Sequence, residues 1–142
     1  MVKPVPPSPS DPAISCPKCH IVMVRLDADG VAIDRCDKCG GVWLDAGELT
    51  MLLKFSGDKK QLIEQIDIGA ATEEVQRHSV GIMLCPRDKS AMNTVADRKQ
   101  QHIEFEVCMV CCGVFFDAGE LADLSEFTLR ERLAAFFGSR GR

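Results

Sequence analysis

Apolar and polar residues alternate over short segments of the chain, which indicates strands rather than long helices. Residues 23–26 and 31–35 alternate in this way. The intervening residues 27–30 have the composition of a tight turn, in which Gly30 is free to adopt a positive φ angle. The pattern therefore predicts a two-stranded hairpin over residues 23–35.

Helical spacing takes over after this hairpin. Asp45 and Glu48 stand at the spacing of a capping box, which predicts a helix that continues over residues 49–55 and stops at Gly57. Residues 58–78 also have a helical pattern. A last helix, ended by a glycine, is predicted from apolar residues at roughly helical spacing: Leu121, Leu124, Leu129, Leu133 and Phe136.

Much of the chain is an internal duplication. Residues 36–49, CDKCGGVWLDAGEL, recur at 108–121 as CMVCCGVFFDAGEL, and CPKC at 16–19 matches CPRD at 85–88. A second hairpin, formed by residues 92–96 and 103–107 with a polar link, lies between the two halves of the later copy. Each copy therefore consists of a cysteine turn, a hairpin, a second cysteine turn and a helix start.

Trp43 and Phe115 occupy matching positions between the second cysteine turn and the helix start. We expect each of them to be a core residue that packs the helix onto its own hairpin. The acidic residues at the helix starts are interpreted as caps rather than as an acid–base pair, because capping explains their spacing.

Composition narrows the class of protein. The chain has 142 residues, of which 46% are hydrophobic but only 6% aromatic, and it carries eight cysteines and a formal charge of −4. The proline-rich residues 1–13 lack the apolar stretch of a signal peptide and predict a disordered tail. With no window apolar enough to span a membrane, we expect a cytoplasmic protein, where thiols stay reduced and cysteine pairs bind metal.

The first copy has the donor set of a structural zinc site. Two Cys-x-x-Cys turns separated by sixteen residues supply four sulfur ligands, which suits tetrahedral zinc and leaves no position open for water or substrate. The predicted ligands are Cys16, Cys19, Cys36 and Cys39. His20 is then not needed as a ligand.

The second copy offers three cysteines, and its fourth ligand is open on sequence grounds. Asp88 stands at the position of the missing cysteine and can bind zinc through oxygen, so the favoured set is Cys85, Asp88, Cys108 and Cys111. Cys112 and His102 are alternatives, and a site completed by water or without metal is another. With two zinc ions bound, the charge would be about −7.

These patterns predict an α+β protein with two small zinc ribbons, that is, short β-hairpins with zinc knuckles, each followed by an α-helix. The predicted domains follow the chain in this order: a disordered tail over 1–13, ribbon 1 with its helix over 14–56, a helical linker over 57–80, ribbon 2 with the C-terminal helix over 81–138, and a basic tail over 139–142.

The run CPKC followed by CDKCGGVWLDAGEL closely resembles the transcription-factor-IIB-like zinc-finger family, and CPRD followed by CMVCCGVFFDAGEL resembles a diverged copy. The resemblance covers about half of the chain and implies zinc ribbons that use the cysteines named above. The family name points towards transcription, but a ribbon is a scaffold whose function depends on what it displays.

The sequence is compatible with three functions. The first is a zinc-stabilised module that binds a protein partner, without enzymatic activity or a small-molecule substrate. The second is nucleic-acid binding through a local basic patch of Arg87, Lys89, Arg98 and Lys99. The third is thiol redox chemistry or metal handling by the second cysteine cluster, with Cys112 as an extra thiol.

Overall fold

The computed structural model describes residues 2–9, 12–53, 59–67, 82–96 and 104–118. Within these ranges the chain forms seven strands and two helices. In chain order they are β1 (Val2–Pro4), β2 (Val24–Ala28), β3 (Val31–Arg35), β4 (Val42–Leu44), α1 (Ala46–Leu53), α2 (Lys59–Ile66), β5 (Asn93–Ala96), β6 (Glu104–Val107) and β7 (Val114–Phe116).

The two ribbons share one sheet. The strands follow the order β1-β2-β3-β4-β7-β6-β5, and every neighbouring pair is antiparallel. Strands β2 to β4 belong to ribbon 1 and strands β5 to β7 to ribbon 2, so the ribbons meet at the β4–β7 pair. The α+β zinc-ribbon architecture is consistent with the prediction, whereas the pairing of the two ribbons through β4 and β7 was not predicted.

The β4–β7 pair relates the two copies by a local two-fold axis. Trp43 pairs with Phe115, its counterpart in the duplication. Val42 pairs with Phe116, and Leu44 pairs with Val114, so each strand presents the same positions to the other. Each ribbon therefore covers the edge strand that the other would otherwise leave unpaired.

The predicted first hairpin is present. Strand β3 has the predicted bounds, whereas β2 runs two residues beyond residue 26 because the turn contains only Asp29 and Gly30. These two residues have φ angles of 52° and 93°, as a two-residue type I′ turn requires. The amide of Gly30 donates a hydrogen bond of 3.0 Å to Oδ1 of Asp27, which stabilises the turn.

The sheet has a different core on each face. On one side, the helix face, Leu52 of α1 and three apolar residues of α2 pack against alternate residues of both ribbons. On the other side, the zinc face, Trp43 and Phe115 pack among five buried cysteines and methionine side chains from both ribbons. The α2 residues are Leu62, Ile63 and Ile66.

The two helices have the expected end interactions. Oε1 of Glu48 accepts the amide hydrogen of Asp45 at 3.1 Å, which is one half of the predicted capping box. Nη1 of Arg35 donates to the carbonyls of Gln65 and Ile66, at 3.3 and 3.2 Å, where a cation favours a helix C-terminus. None of the helices in the described ranges is long and apolar enough to cross a membrane.

The prediction of a disordered tail over residues 1–13 is wrong for its first part. Val2–Pro4 forms strand β1, which pairs with β2, and the amide of Val5 donates a bond of 2.9 Å to the carbonyl of Arg25. Prolines are compatible with this position because an edge strand needs no donor on its outer side. The predicted C-terminal helix, the basic tail and the linker beyond residue 67 lie outside the described residues.

Candidate metal centres and their interface

The structure brings the four predicted ligands of ribbon 1 together. The donor atoms of Cys16, Cys19, Cys36 and Cys39 all lie within 4.8 Å of one another, and the Sγ atoms of Cys16 and Cys39 are 3.7 Å apart. Three of these cysteines are buried and Cys19 is half-buried. We call this cluster site 1.

Site 2 gathers Cys85, Asp88, Cys108 and Cys111, and their donor atoms also lie within 4.8 Å of one another. The Sγ atoms of Cys85 and Cys111 are 3.6 Å apart, and Oδ2 of Asp88 is 3.4 Å from Sγ of Cys108. Asp88 is exposed, unlike any ligand of site 1. The geometry therefore places the aspartate in the position of the fourth ligand.

The spacing of the donors fits zinc at both sites. A zinc–sulfur bond of about 2.3 Å in a regular tetrahedron separates two sulfurs by about 3.8 Å. The measured sulfur pairs, at 3.7 and 3.6 Å, agree with this value. None of the eight cysteines is in a disulfide. The donor sets therefore form two zinc sites, one with four sulfurs and one with three sulfurs and a carboxylate.

The four turns that carry the ligands, which we call knuckles, have one backbone geometry. In each, the residue after the second ligand donates its amide to the carbonyl of the first ligand, at 2.8 to 2.9 Å. That residue has a positive φ angle in every knuckle. The four residues are His20 (65°), Gly40 (77°), Lys89 (67°) and Cys112 (64°).

This geometry explains which neighbouring residues are not ligands. Cys112 occupies the positive-φ position that glycine occupies in the matching knuckle of ribbon 1, and it is not part of the site 2 cluster. His20 stands at the same position after Cys19 and likewise lies outside site 1. His102 lies outside the described residues.

Amide hydrogens surround the sulfur ligands. Sγ of Cys16 accepts from the amides of Lys18 and Cys19 at 3.4 and 3.3 Å, and Sγ of Cys39 accepts from Gly41 at 3.3 Å. In site 2 the amide of Arg87 donates to Sγ of Cys85 at 3.3 Å. Such bonds favour the thiolate form that zinc needs.

The pKa values show why these clusters need a cation. The hydrogen bond from Cys16 lowers the pKa of Cys39 to about 5, while that same bond and burial raise the pKa of Cys16. Burial raises the pKa of Cys19 and of Cys111 to about 12. Without a cation the sulfurs therefore share protons, and a dication allows all of them to ionise.

Site 2 has its own support for the carboxylate. The hydroxyl of Ser90 donates to Oδ1 of Asp88 at 2.5 Å, and its amide donates to the same oxygen at 2.9 Å. These bonds lower the pKa of Asp88. The same hydroxyl lies 3.2 Å from Sγ of Cys108. Ser90 thus fixes the carboxylate beside the sulfurs, a role that the sequence reasoning missed.

A third cluster, of Asp34, Asp45 and Glu48, is an ion-pair network and not a further metal centre. Nε and Nη2 of Arg25 donate to Oδ1 of Asp34 at 3.1 and 3.0 Å. Nη2 of Arg87 lies 3.8 Å from the other oxygen of this buried carboxylate. The two guanidinium groups supply the positive charge there, although burial still raises the pKa of Asp34.

Aromatic rings cross from each ribbon onto the other. A Cβ atom added to Gly113 would lie 2.1 Å from Cζ2 of Trp43, and one added to Gly41 would lie 2.3 Å from Cζ of Phe115. Gly41 and Gly113 are counterparts in the duplication and each precedes its central strand. Trp43 and Phe115 are buried as predicted, but each packs against the opposite ribbon, and no residue of the two described helices belongs to their cluster.

Ion pairs repeat the same two-fold relation. Nζ of Lys18, in the first knuckle of ribbon 1, lies 3.1 Å from Oδ1 of Asp117 in ribbon 2. Its counterpart Arg87 donates to both oxygens of Asp45, at 3.2 and 2.8 Å. Oδ1 of Asp45 also accepts from the indole of Trp43 at 2.9 Å. The basic residue inside each first knuckle therefore binds the other ribbon.

Comparisons with known proteins agree with the geometry. The model of a family described as transcription factor zinc-finger, the TFIIB type of zinc ribbon, matches residues 15–54 and again residues 84–126. Neither the curated proteins nor the solved structures gave a match. The two matched regions contain both zinc sites and cover more than half of the sequence. The chain thus belongs to the TFIIB-type zinc-ribbon family of transcription factor zinc-fingers, with two copies in tandem.

Proposed function

We propose that this chain is a zinc-stabilised module that binds a protein partner through the surface around its knuckles. The observation that carries the proposal is the position of its exposed apolar residues. Seven large hydrophobic residues are exposed in the described ranges, and five of them lie in a knuckle or within three residues of one. The five are Ile21, Val22, Ile82, Leu84 and Val110.

A rigid scaffold accounts for both the zinc sites and these exposed residues. Four protein donors at each site fill a tetrahedron and leave no coordination position for a substrate, which favours a structural role for the metal over catalysis. Ile82 is 76% exposed and Val110 is 67% exposed, so both would gain free energy from burial against a partner. The family description supports a partner in transcription.

Nucleic acid is a weaker candidate. Of the four residues in the predicted basic patch, Arg87 is engaged with Asp45 and Asp34, and Arg98 and Lys99 lie outside the described residues. The net charge of −4 opposes non-specific binding to phosphates. The four described aromatic rings, Trp43, Phe105, Phe115 and Phe116, are all buried and unavailable for base stacking.

Site-specific photo-crosslinking tests the proposal. A crosslinking amino acid at Ile82 should capture a defined protein from cell extract, and the yield should survive raised salt because the contact is apolar. The same group at Met51 is a matched control, since Met51 is 50% exposed but lies on α1, which packs on the helix face. Equal capture at Met51, or no capture at any of the five knuckle positions, would refute a knuckle-centred interface.

A further inference from the structure

A cleft of about 280 Å³ separates the first knuckles of the two ribbons. Pro17, Lys18 and His20 line it from ribbon 1, and Leu84, Pro86 and Lys89 line it from ribbon 2. Its walls are the knuckles that carry Cys16 and Cys85, and Lys18 on one wall forms the ion pair with Asp117 that joins the ribbons. We call it the knuckle cleft.

We propose that the knuckle cleft binds an acidic segment of the protein partner, with a carboxylate at Lys89 and His20 and an apolar side chain against Ile82 and Leu84. This inference rests on the proposed function and adds the place and the chemistry of the contact. The charge of the cleft favours an acidic occupant. The chain as a whole is acidic, yet no aspartate or glutamate is among the residues that line this cleft.

The basic groups on its two rims are free to act. Lys18 already binds Asp117, but neither the ammonium group of Lys89 nor the imidazole of His20 forms a hydrogen bond or ion pair with another described residue. Both side chains are exposed. An incoming carboxylate can therefore accept from either group without displacing a contact within the described residues.

Backbone strain adds a second argument. His20 and Lys89 hold φ angles of 65° and 67°, in the left-handed region that glycine occupies in the second knuckle of ribbon 1. A residue with a side chain is less stable than glycine in this conformation. The chain nevertheless has a histidine and a lysine at these two equivalent positions, one on each side of the cleft. Glycine would fit the backbone better but would supply no hydrogen-bond donor.

Size and surroundings favour a peptide. Small-molecule pockets usually enclose roughly 300–1,000 Å³, so this cleft takes one or two side chains rather than a nucleotide. Its apolar wall contains Ile82, Leu84 and two prolines, and no Trp or Phe ring, the larger platforms for base stacking, is among the lining residues. Single-stranded nucleic acid is therefore the less suitable occupant.

The test uses the zinc-loaded full chain and a defined probe. The tetrapeptide acetyl-Glu-Leu-Leu-Glu-amide is titrated into ¹⁵N-labelled protein, and acetyl-Lys-Leu-Leu-Lys-amide serves as the charge-reversed probe. We expect shifts of the backbone amides confined to residues 15–22 and 82–91 with the acidic peptide. The basic peptide should leave these amides unchanged.

Matched variants locate the charge. Lys89→Glu should weaken the acidic peptide about tenfold or more, because it places like charges together, and His20→Glu on the opposite rim should do the same. Lys38→Glu makes the same charge change in an exposed knuckle residue outside the cleft and should leave the affinity within about twofold. Native mass spectrometry must show two zinc ions in each variant, so that unfolding is not mistaken for lost binding.

The outcomes separate this inference from the proposed function. The cleft proposal is overturned if millimolar acidic peptide causes no shifts, if the shifts fall elsewhere, or if a single-stranded oligonucleotide binds the cleft more tightly than the peptide. If a crosslinker at Val110, which is exposed but does not line the cleft, captures a protein and Lys89→Glu leaves that capture unchanged, the module binds a partner by another surface. If the peptide binds the cleft but no protein is captured, the cleft chemistry stands and the proposed function fails.

Discussion

Ribbon 1 and ribbon 2 fold the same way around their metals but differ in how well they protect them. Site 1 has four sulfur ligands, three of them buried, and a buried Arg25–Asp34 pair on the adjoining strands. Site 2 has an exposed carboxylate as its fourth ligand. At the positions of Arg25 and Asp34, ribbon 2 has an exposed Thr94 that donates to Glu106 at 2.8 Å.

The difference implies that the two metal sites contribute unequally to the stability of the sheet they share. Thiolate ligands are softer than carboxylate and hold zinc more tightly, and a buried site exchanges its metal less readily. We therefore expect site 1 to maintain the fold and site 2 to release zinc first.

Cys36→Ala should abolish folding. The variant leaves three ligands in site 1, and structural zinc contributes on the order of 10 kcal/mol in comparable small domains, which equals the entire stability of many domains. Loss of dispersion in the amide NMR spectrum would report it. A folded variant that retained two zinc ions would contradict the expectation that site 1 maintains the fold.

Asp88→Ala is the matched change in site 2. It removes the exposed ligand, so we expect a folded protein with site 1 occupied and zinc at site 2 lost or readily chelated. Native mass spectrometry and a zinc-binding dye would measure the two populations. Global unfolding would mean that both sites are equally necessary.

Gly113→Ala should destabilise the protein by about 3 kcal/mol, because a new methyl group would collide with Trp43 in a packed core. Gly41→Ala should behave alike, since its methyl would collide with Phe115. Urea unfolding of the zinc-loaded protein measures both. Gly47→Ala is the control: its Cβ would meet nothing within 4 Å, and alanine in a helix should stabilise by up to about 1 kcal/mol. If Gly113→Ala unfolded at the same urea concentration as the wild type, Trp43 would not pack against Gly113 as the structure shows.

Arg87→Lys should cost about 1 kcal/mol, since lysine keeps the charge but cannot donate to both oxygens of Asp45. A double-mutant cycle with Asp45→Asn separates this contact from the nearby Asp34. We expect a coupling energy of similar size. Additive effects would show that the ribbons do not depend on this ion pair.

Ser90→Ala should shift the pH at which site 2 releases zinc. Hydrogen bonds from Ser90 favour the carboxylate and hold the pKa of Asp88 low, so the ligand stays charged until the pH falls through that lowered pKa. Without the hydroxyl the pKa rises, and zinc should leave at a higher pH. An acid titration with a zinc-binding dye measures the change. Thr94→Ala, which removes another hydroxyl from ribbon 2, should leave the release pH unaltered.

The features that local pattern controls were predictable. Cysteine spacing located the two donor clusters, the Asp-Gly pair located the first turn, and the Asp45–Glu48 spacing located the start of α1. In each case residues close in sequence determine the structure. Even the unusual Asp88 could be placed, because the duplication aligns it with Cys19.

The shared sheet was not predictable from pattern. Strands β4 and β7 have only three residues each, all of them buried, so no alternation marks them as strands. Trp43 packs against a ribbon that is far away in sequence. Strand β1 pairs with the outer edge of β2, which exists only once the sheet has formed. Long-range contacts of this kind leave no periodic trace.

The register at β4–β7 has a consequence for how the molecule responds to mutation. The contact has the symmetry of a homodimer interface, in which the same surface of each subunit contacts its equivalent across a two-fold axis. In a homodimer every substitution there would occur twice and would weaken with dilution of the subunits. Because both halves belong to one chain, association is independent of concentration and each substitution acts once. Lysine at position 18 and arginine at position 87 can therefore differ while the interface stays closed.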